Sequence, residues 1–230
     1  MSLFSFKQRE GKGVDENAPK LHPFFQFFPL FFRKFPHFIA LNLIYIICII
    51  PIFTFGPATA GLTYVMRCFA TQKPCFPYSD FFSKFKENFK QTVFVGILDF
   101  VLLYLTVFSY LFYIVDGQFV QNILFTVITA IMMFVYLIIR QYFYVMVVTF
   151  ELDVQSIIRN CFLFIFLGFL HNIVMLLFSF GLFIAALHVA YMPTLLIFPL
   201  IGFSLLTFIS VYTIYPIINK HMIEVAKASE

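Results

Sequence analysis

Sixty consecutive residues, 160 to 219, pass without a single Asp, Glu, Lys or Arg. A second stretch, Gln91 to Ile139, runs for 49 residues interrupted only by Asp99 and Asp116, and a third, 35–66, holds 32 uncharged residues. A membrane-spanning helix needs ~20 apolar residues, so each of the two longer stretches has room for two. The remaining charge cannot cover a soluble fold. Only 11% of the chain is charged and 62% is hydrophobic, against ~25% charged in soluble domains. The expected class is all-α: a polytopic transmembrane helical bundle of about five hydrophobic segments, four clear spans plus an N-terminal kinked or re-entrant helical hairpin.

Breaks within the stretches place the elements. Asp116-Gly117-Gln118 separates a helix of roughly 92–115 from one starting near Phe119, which stays apolar through Tyr142 to about Glu151. His188 to Pro193 separates roughly 161–187 from roughly 194–217. Pro199 is expected to kink the last helix, and Pro216 lies at its end. The 32-residue stretch is long for one span and short for two. Pro51 and Gly56-Pro57 interrupt it, and Pro57 suits the first turn of a short helix to about Thr71. That helix is either interfacial or the returning arm of a re-entrant hairpin. The organisation expected is a polar or interfacial segment 1–34, a transmembrane domain 35–219 and a tail 220–230. Residues 1–20 are polar and mixed in charge, with no apolar run of the secretory type.

Basic residues orient such a chain, because cytoplasmic loops retain Lys and Arg. Six lie in 1–34, five in 67–90, two in 140–159 and two in 216–230. If 35–66 enters and returns, all of them fall on one side. If it crosses once, the first six lie opposite the rest. We expect a multi-pass protein of the bacterial cytoplasmic membrane with a cytoplasmic C-terminus.

Residues 78–91 form a basic amphipathic segment, with Phe81, Phe85 and Phe89 on one helical face. Ser79 or Asp80 is a suitable N-cap. The segment either lies on the headgroups with its Phe face in the acyl boundary or docks a partner through Lys84, Lys86, Asn88 and Lys90. Asp99, His171 and Asn172 lie within expected spans, where polar groups turn to the bundle interior. They read as a substrate or proton path, or as interhelical hydrogen bonds such as Asp99 to a Tyr or Asn. Arg140 is expected to mark the cytoplasmic boundary and to pair with Glu151 or Asp153. Gly56/Ala60 and Pro57/Gly61 are small-xxx-small pairs that let helices approach closely; an unwound, backbone-lined site is the alternative.

Chemistry-bearing motifs are sparse. The sequence has no Walker A motif, HExxH, GxSxG or paired metal-ligand spacing, so neither enzymatic activity nor a cofactor or metal is expected. The four cysteines form no CxxC pair and read as structural thiols. The basic residues follow topology, so the partner expected is the lipid bilayer and not nucleic acid.

The run FGPATAGLTYVMR (55–67), followed by YSDFFSKFKENFKQ (78–91), resembles the YesL-like family of bacterial membrane proteins, whose function is unknown. FELDVQSIIRNCFLF (150–164) is similar to its acidic turn before a helix start, and the similarity extends from about Phe35 to the C-terminus. Members stand beside carbohydrate ABC uptake systems in Gram-positive bacteria. The resemblance therefore implies an accessory role in oligosaccharide import, with ABC permease and ATPase subunits as partners. The EAA-type coupling loop of a permease is missing from the sequence. A self-sufficient secondary transporter or channel, using Asp99 and His171, is the alternative.

Overall fold

The computed structural model describes residues 23–110, 123–177 and 198–223, together with Phe112 and Gly181. Every regular element among them is helical: α1 Pro23–Ile49, a 3-10 turn Ile52–Thr54, α2 Phe55–Ala70, α3 Pro77–Glu87, α4 Phe89–Tyr110, α5 Ile123–Val147, α6 Val154–Leu167, α7 Phe169–Leu176 and α8 Phe203–Ile218. Short π-helical turns, Phe198–Gly202 and Asn219–Ile223, flank α8.

Four helical stretches are long and apolar enough to cross a membrane: Gln26–Ile49, Phe89–Thr106, Ile123–Val147 and Phe198–Met222. The pair α6 and α7, bent by 92° at its break, is apolar enough to count as a broken span or a re-entrant loop, giving four to five spans in all. This is the all-α membrane bundle expected from the charge-free stretches. The predicted turns at Asp116–Gln118 and His188–Pro193, and the predicted helix start at Phe119, lie outside the described residues.

The chain divides into two compact units, Met1–Arg33 and Lys34–Glu230. In the first, the rings of Phe27 and Phe31 stack along α1 with centroids 6.3 Å apart, one turn from each other. The second unit holds the bundle, and α2 is at its centre.

With 16 residues, α2 rises about 24 Å, short of the ~30 Å hydrocarbon core. It packs against α3, α4, α5 and α8, and thirteen of its residues are buried. It runs back along α1: Tyr45 hydrogen-bonds Thr59 at 3.1 Å, and Phe38 meets Phe69 at 5.8 Å. The 35–66 segment is thus a hairpin whose second arm is enclosed by helices, and not an interfacial helix. Its buried threonines answer the polarity of this apolar setting locally, Thr59 and Thr63 each donating to the carbonyl four residues back.

Three predicted features are corrected. First, 161–187 is not one straight helix. It breaks at Gly168, where a Cβ would stand 2.7 Å from the Tyr142 hydroxyl and 3.2 Å from Ile217 Cδ1. Second, α5 ends at Val147 and does not reach Glu151, because Thr149 and Phe150 both turn their N–H groups back onto the Met146 carbonyl. Third, Pro199 lies not in the α-helical part of the last span but in the π-helical turn that opens it. There Asn42 of α1 donates to the Pro199 carbonyl at 2.6 Å and accepts from the Ser204 N–H at 2.9 Å. One amide side chain thereby satisfies the irregular backbone that hydrocarbon would leave bare.

Candidate functional site

Two polar constellations stand out, one inside the bundle and one where α3, the start of α4 and the turn between α5 and α6 come together. The inner one is built on α4 and α5. Asp99 lies ten residues beyond Phe89, about 15 Å along α4, and is 6% exposed. Arg140 of α5 donates Nε to both of its carboxylate oxygens, at 3.0 and 3.1 Å. The hydroxyls of Tyr136 and Tyr144 donate to the same oxygens at 2.7 and 2.9 Å, so the Asp99 carboxylate receives four contacts from one helix. Tyr136, Arg140 and Tyr144 are spaced by four residues, which places them in a row on one face of α5. The ring of Phe55, opening α2, lies 5.6 Å from the guanidinium and closes the pair from above.

This geometry corrects one expectation and completes another. Arg140 is no boundary residue reaching for Glu151 or Asp153; it is drawn inward to Asp99. The interhelical bond from Asp99 to a tyrosine is present, twice. Spacing on α5 carried a signal for this, since a tyrosine, an arginine and a tyrosine on one stripe need a common acceptor.

His171 and Asn172 do not join Asp99. His171 is exposed on α7, and no hydrogen bond among the described residues links it to the ion pair. Asn172 is fully buried at the α6–α7 break. It accepts from the Tyr142 hydroxyl at 2.9 Å and donates to the carbonyls of Phe164 and Ile165 at 3.1 and 3.2 Å. These carbonyls lie in the last turn of α6; Phe164 keeps its helical bond from the Gly168 N–H at 3.0 Å, and the Asn172 amide adds a second donor there and one for Ile165. We predict that Asn172→Leu lowers stability by about 1–3 kcal/mol, because it takes the acceptor from the Tyr142 phenol and the side-chain donor from the Ile165 carbonyl in an apolar core. Removing the phenol as well (Tyr142→Phe with Asn172→Leu) should add little, which thermal denaturation followed by circular dichroism can check.

Small residues set the helix spacing around the ion pair. A Cβ on Gly56 would overlap the Thr92 carbonyl oxygen and lie 2.9 Å from the Gly96 Cα, so α2 and α4 touch backbone to backbone. Gly61 meets α3 in the same way, 2.7 Å from the Phe81 carbonyl oxygen, and Ala60 is fully buried. Packing is therefore the role of Gly56, Ala60 and Gly61. Gly96, the partner surface on α4, carried no sequence signal, being one glycine in an apolar helix.

The second constellation begins with α3. Pro77 occupies its first turn, and Asp80 reaches back to accept the Phe76 N–H at 2.9 Å. Neither Ser79 nor Asp80 is the N-cap, because Pro77 starts the helix earlier. Phe81 is fully buried beneath α2, while Phe76, Tyr78 and Phe82 are exposed. Of the stripe Phe81, Phe85 and Phe89, the first is fully buried and the other two are partly buried, so the exposed rings beside α3 are different ones from those the spacing marked. At Asn88 the segment breaks: its side chain donates to the Lys84 carbonyl at 3.0 Å, and α4 starts at the next residue.

The turn between α5 and α6 comes to this junction. Arg67 donates to the Thr149 hydroxyl at 2.7 Å, and Gln91 to the Leu152 carbonyl at 2.7 Å. Asp153 caps α6 through the Ser156 N–H at 3.3 Å, and hydrogen bonds from Ser156 hold its carboxyl below the usual range. Between α3, the start of α4 and this turn runs a groove of about 740 Å3, lined by Lys84, Glu87, Asn88, Gln91 and residues 147–154. Lys84 forms a 2.6 Å ion pair with Glu87 and stands over the Tyr64 ring. Lys86 and Lys90 are exposed. Of the four predicted docking residues, Lys84 and Asn88 line the groove, and Lys86 and Lys90 are not among its lining.

Residues 38–110, from α1 through α4, are similar to the family described as "Protein of unknown function, DUF624". The match covers less than half of the chain and includes Asp99 but not Arg140. No curated protein and no solved structure matches the chain.

Proposed function

We propose that this chain is a non-enzymatic accessory subunit of a carbohydrate ABC uptake system in a bacterial cytoplasmic membrane. The resemblance of 55–67 and 78–91 to the YesL-like family supports the carbohydrate part of this reading. The observation that carries the docking part is the groove at the α3–α4 junction, where a polar surface is assembled from two sequence-distant segments at the basic end. By the positive-inside rule this end faces the cytoplasm, together with the end of α8, where the energising ATPase of such a system is found. Lys86 and Lys90 then steer the partner, and the groove receives it.

The transporter reading draws less support from the geometry. The Asp99 carboxylate is occupied by one guanidinium and two phenols, and His171, the other residue of the supposed pathway, has no hydrogen bond to it among the described residues.

The test is co-expression with candidate permease and ATPase subunits and pull-down in mild detergent. The chain should co-purify with them, and Lys86→Glu with Lys90→Glu should weaken recovery several-fold while leaving the fold intact. A chain that stays alone with every candidate partner present overturns the proposal. Solute flux in proteoliposomes containing this protein alone would favour a transporter.

A further inference from the structure

Two sides of α3 differ in what they offer. Tyr78, Phe82 and Lys86 recur every four residues and form one row, with Phe85 beside it, seven residues after Tyr78. Tyr78 and Phe82 are 46% and 43% exposed, Phe85 is half-buried and Lys86 is exposed. Glu87 follows Tyr78 by nine residues, two and a half turns at about 3.6 residues each, so it stands on the opposite side of the helix. There it lines the groove with Lys84 and Asn88. The aromatic row is tied at both ends to helices long and apolar enough to cross a membrane. The Tyr78 ring stacks on His37 of α1, centroids 6.2 Å apart, within the stretch Gln26–Ile49. The Phe85 ring lies 5.8 Å from that of Phe89, where the stretch Phe89–Thr106 begins.

We propose that α3 is a membrane-interface anchor whose aromatic row is seated in phospholipid, with the groove side left to water. Because both ends of the row are joined to spans, it stands at the level where hydrocarbon meets headgroups. The apolar bodies of Tyr78, Phe82 and Phe85 enter the acyl boundary, about 5–10 Å deep, and the phenol reaches back to the headgroups. Lys86 forms no ion pair among the described residues, whereas Lys84 is held by Glu87. An unpaired ammonium one turn beyond Phe82 matches the lipid phosphates. Lipid thus answers both demands of this side, apolar for the rings and anionic for the cation. Phe81 of the same helix is fully buried against Gly61 of α2, so the anchor is fixed to the bundle. Seating the row sets the rotation of α3 about its own axis and turns the groove to the aqueous phase, whether or not a partner fills it.

The chain has no Trp, so a single introduced indole reports on its own surroundings. Phe82→Trp and Glu87→Trp are each made in the full chain and reconstituted into vesicles of phosphatidylcholine and phosphatidylglycerol. Quenching by phosphatidylcholine brominated near the top of its acyl chains is then compared between variants whose circular dichroism matches the parent's. Position 82 should emit to the blue and lose most of its intensity, whereas position 87 should emit as in water and lose almost none. Bromines at the chain ends should quench position 82 less. Tyr78→Trp reads the same row should Phe82→Trp fail to fold. The proposal fails if the row emits as in water and escapes quenching, which leaves it open to another protein. It fails equally if positions 82 and 87 are quenched alike, which would submerge the groove with the row.

Discussion

Replacing Arg140 by Met lowers the stability of the bundle by about 3–5 kcal/mol, the cost of leaving a buried carboxylate without its counter-charge. Asp99 is 6% exposed and about 15 Å along its helix, so water cannot take over from the lost guanidinium. Two phenols remain, at 2.7 and 2.9 Å, and they stabilise an anion less than a cation does. The reciprocal change, Asp99→Leu, strands the cation and carries a similar cost. The double variant, Asp99→Leu with Arg140→Met, should recover most of the loss, because an apolar pair of similar volume needs no desolvation of charge. The chain has no Trp, so unfolding is best followed by circular dichroism in one detergent. A single variant that melts with the parent would show the pair to be energetically idle.

The second large effect is expected at the α2–α4 contact. Gly56→Ala places a methyl group where the Thr92 carbonyl oxygen already lies, and the next obstacle is the Gly96 Cα. Both are backbone, so no rotamer change relieves the clash and the helices must separate. The cost expected is at least the ~1–3 kcal/mol of an overpacked core. Separation also draws Phe55 off the Arg140 guanidinium, so the variant should couple to Arg140→Met when the two are combined. Gly181→Ala is the control, since a Cβ there meets nothing within 4 Å. Equal melting of Gly56→Ala and Gly181→Ala would remove the backbone contact from the account.

Residue spacing revealed some of the site and hid the rest. Tyr136, Arg140 and Tyr144 can be seen as one stripe because the helical period is local. Their acceptor, Asp99, lies 41 residues from Arg140, and nothing along the chain says which helix faces α5. In a span surrounded by lipid, apolar residues occupy every face, so the periodicity that orients a helix in a soluble protein is weak. The same weakness hid Gly96 and placed Asn172 beside Asp99 when it belongs to the α6–α7 break. The groove at the basic end was half legible. The amphipathic pattern of 78–91 marked one wall, but the other comes from a turn sixty residues away, held by Gln91 and Arg67.

By itself the sequence determined that this is a helical membrane bundle. Long stretches without charge cannot remain in water, and hydrocarbon leaves the backbone no partner but itself, which makes each stretch helical. Tertiary structure alone decided how the few polar groups are spent: Asp99 on Arg140, Asn42 on the turn at Pro199, and Asn172 on the broken end of α6. It also decided that α2 turns back into the bundle. Those outcomes depend on which helices touch, and contact in an apolar medium is governed by shape and by unsatisfied hydrogen bonds, neither of which is written in local composition.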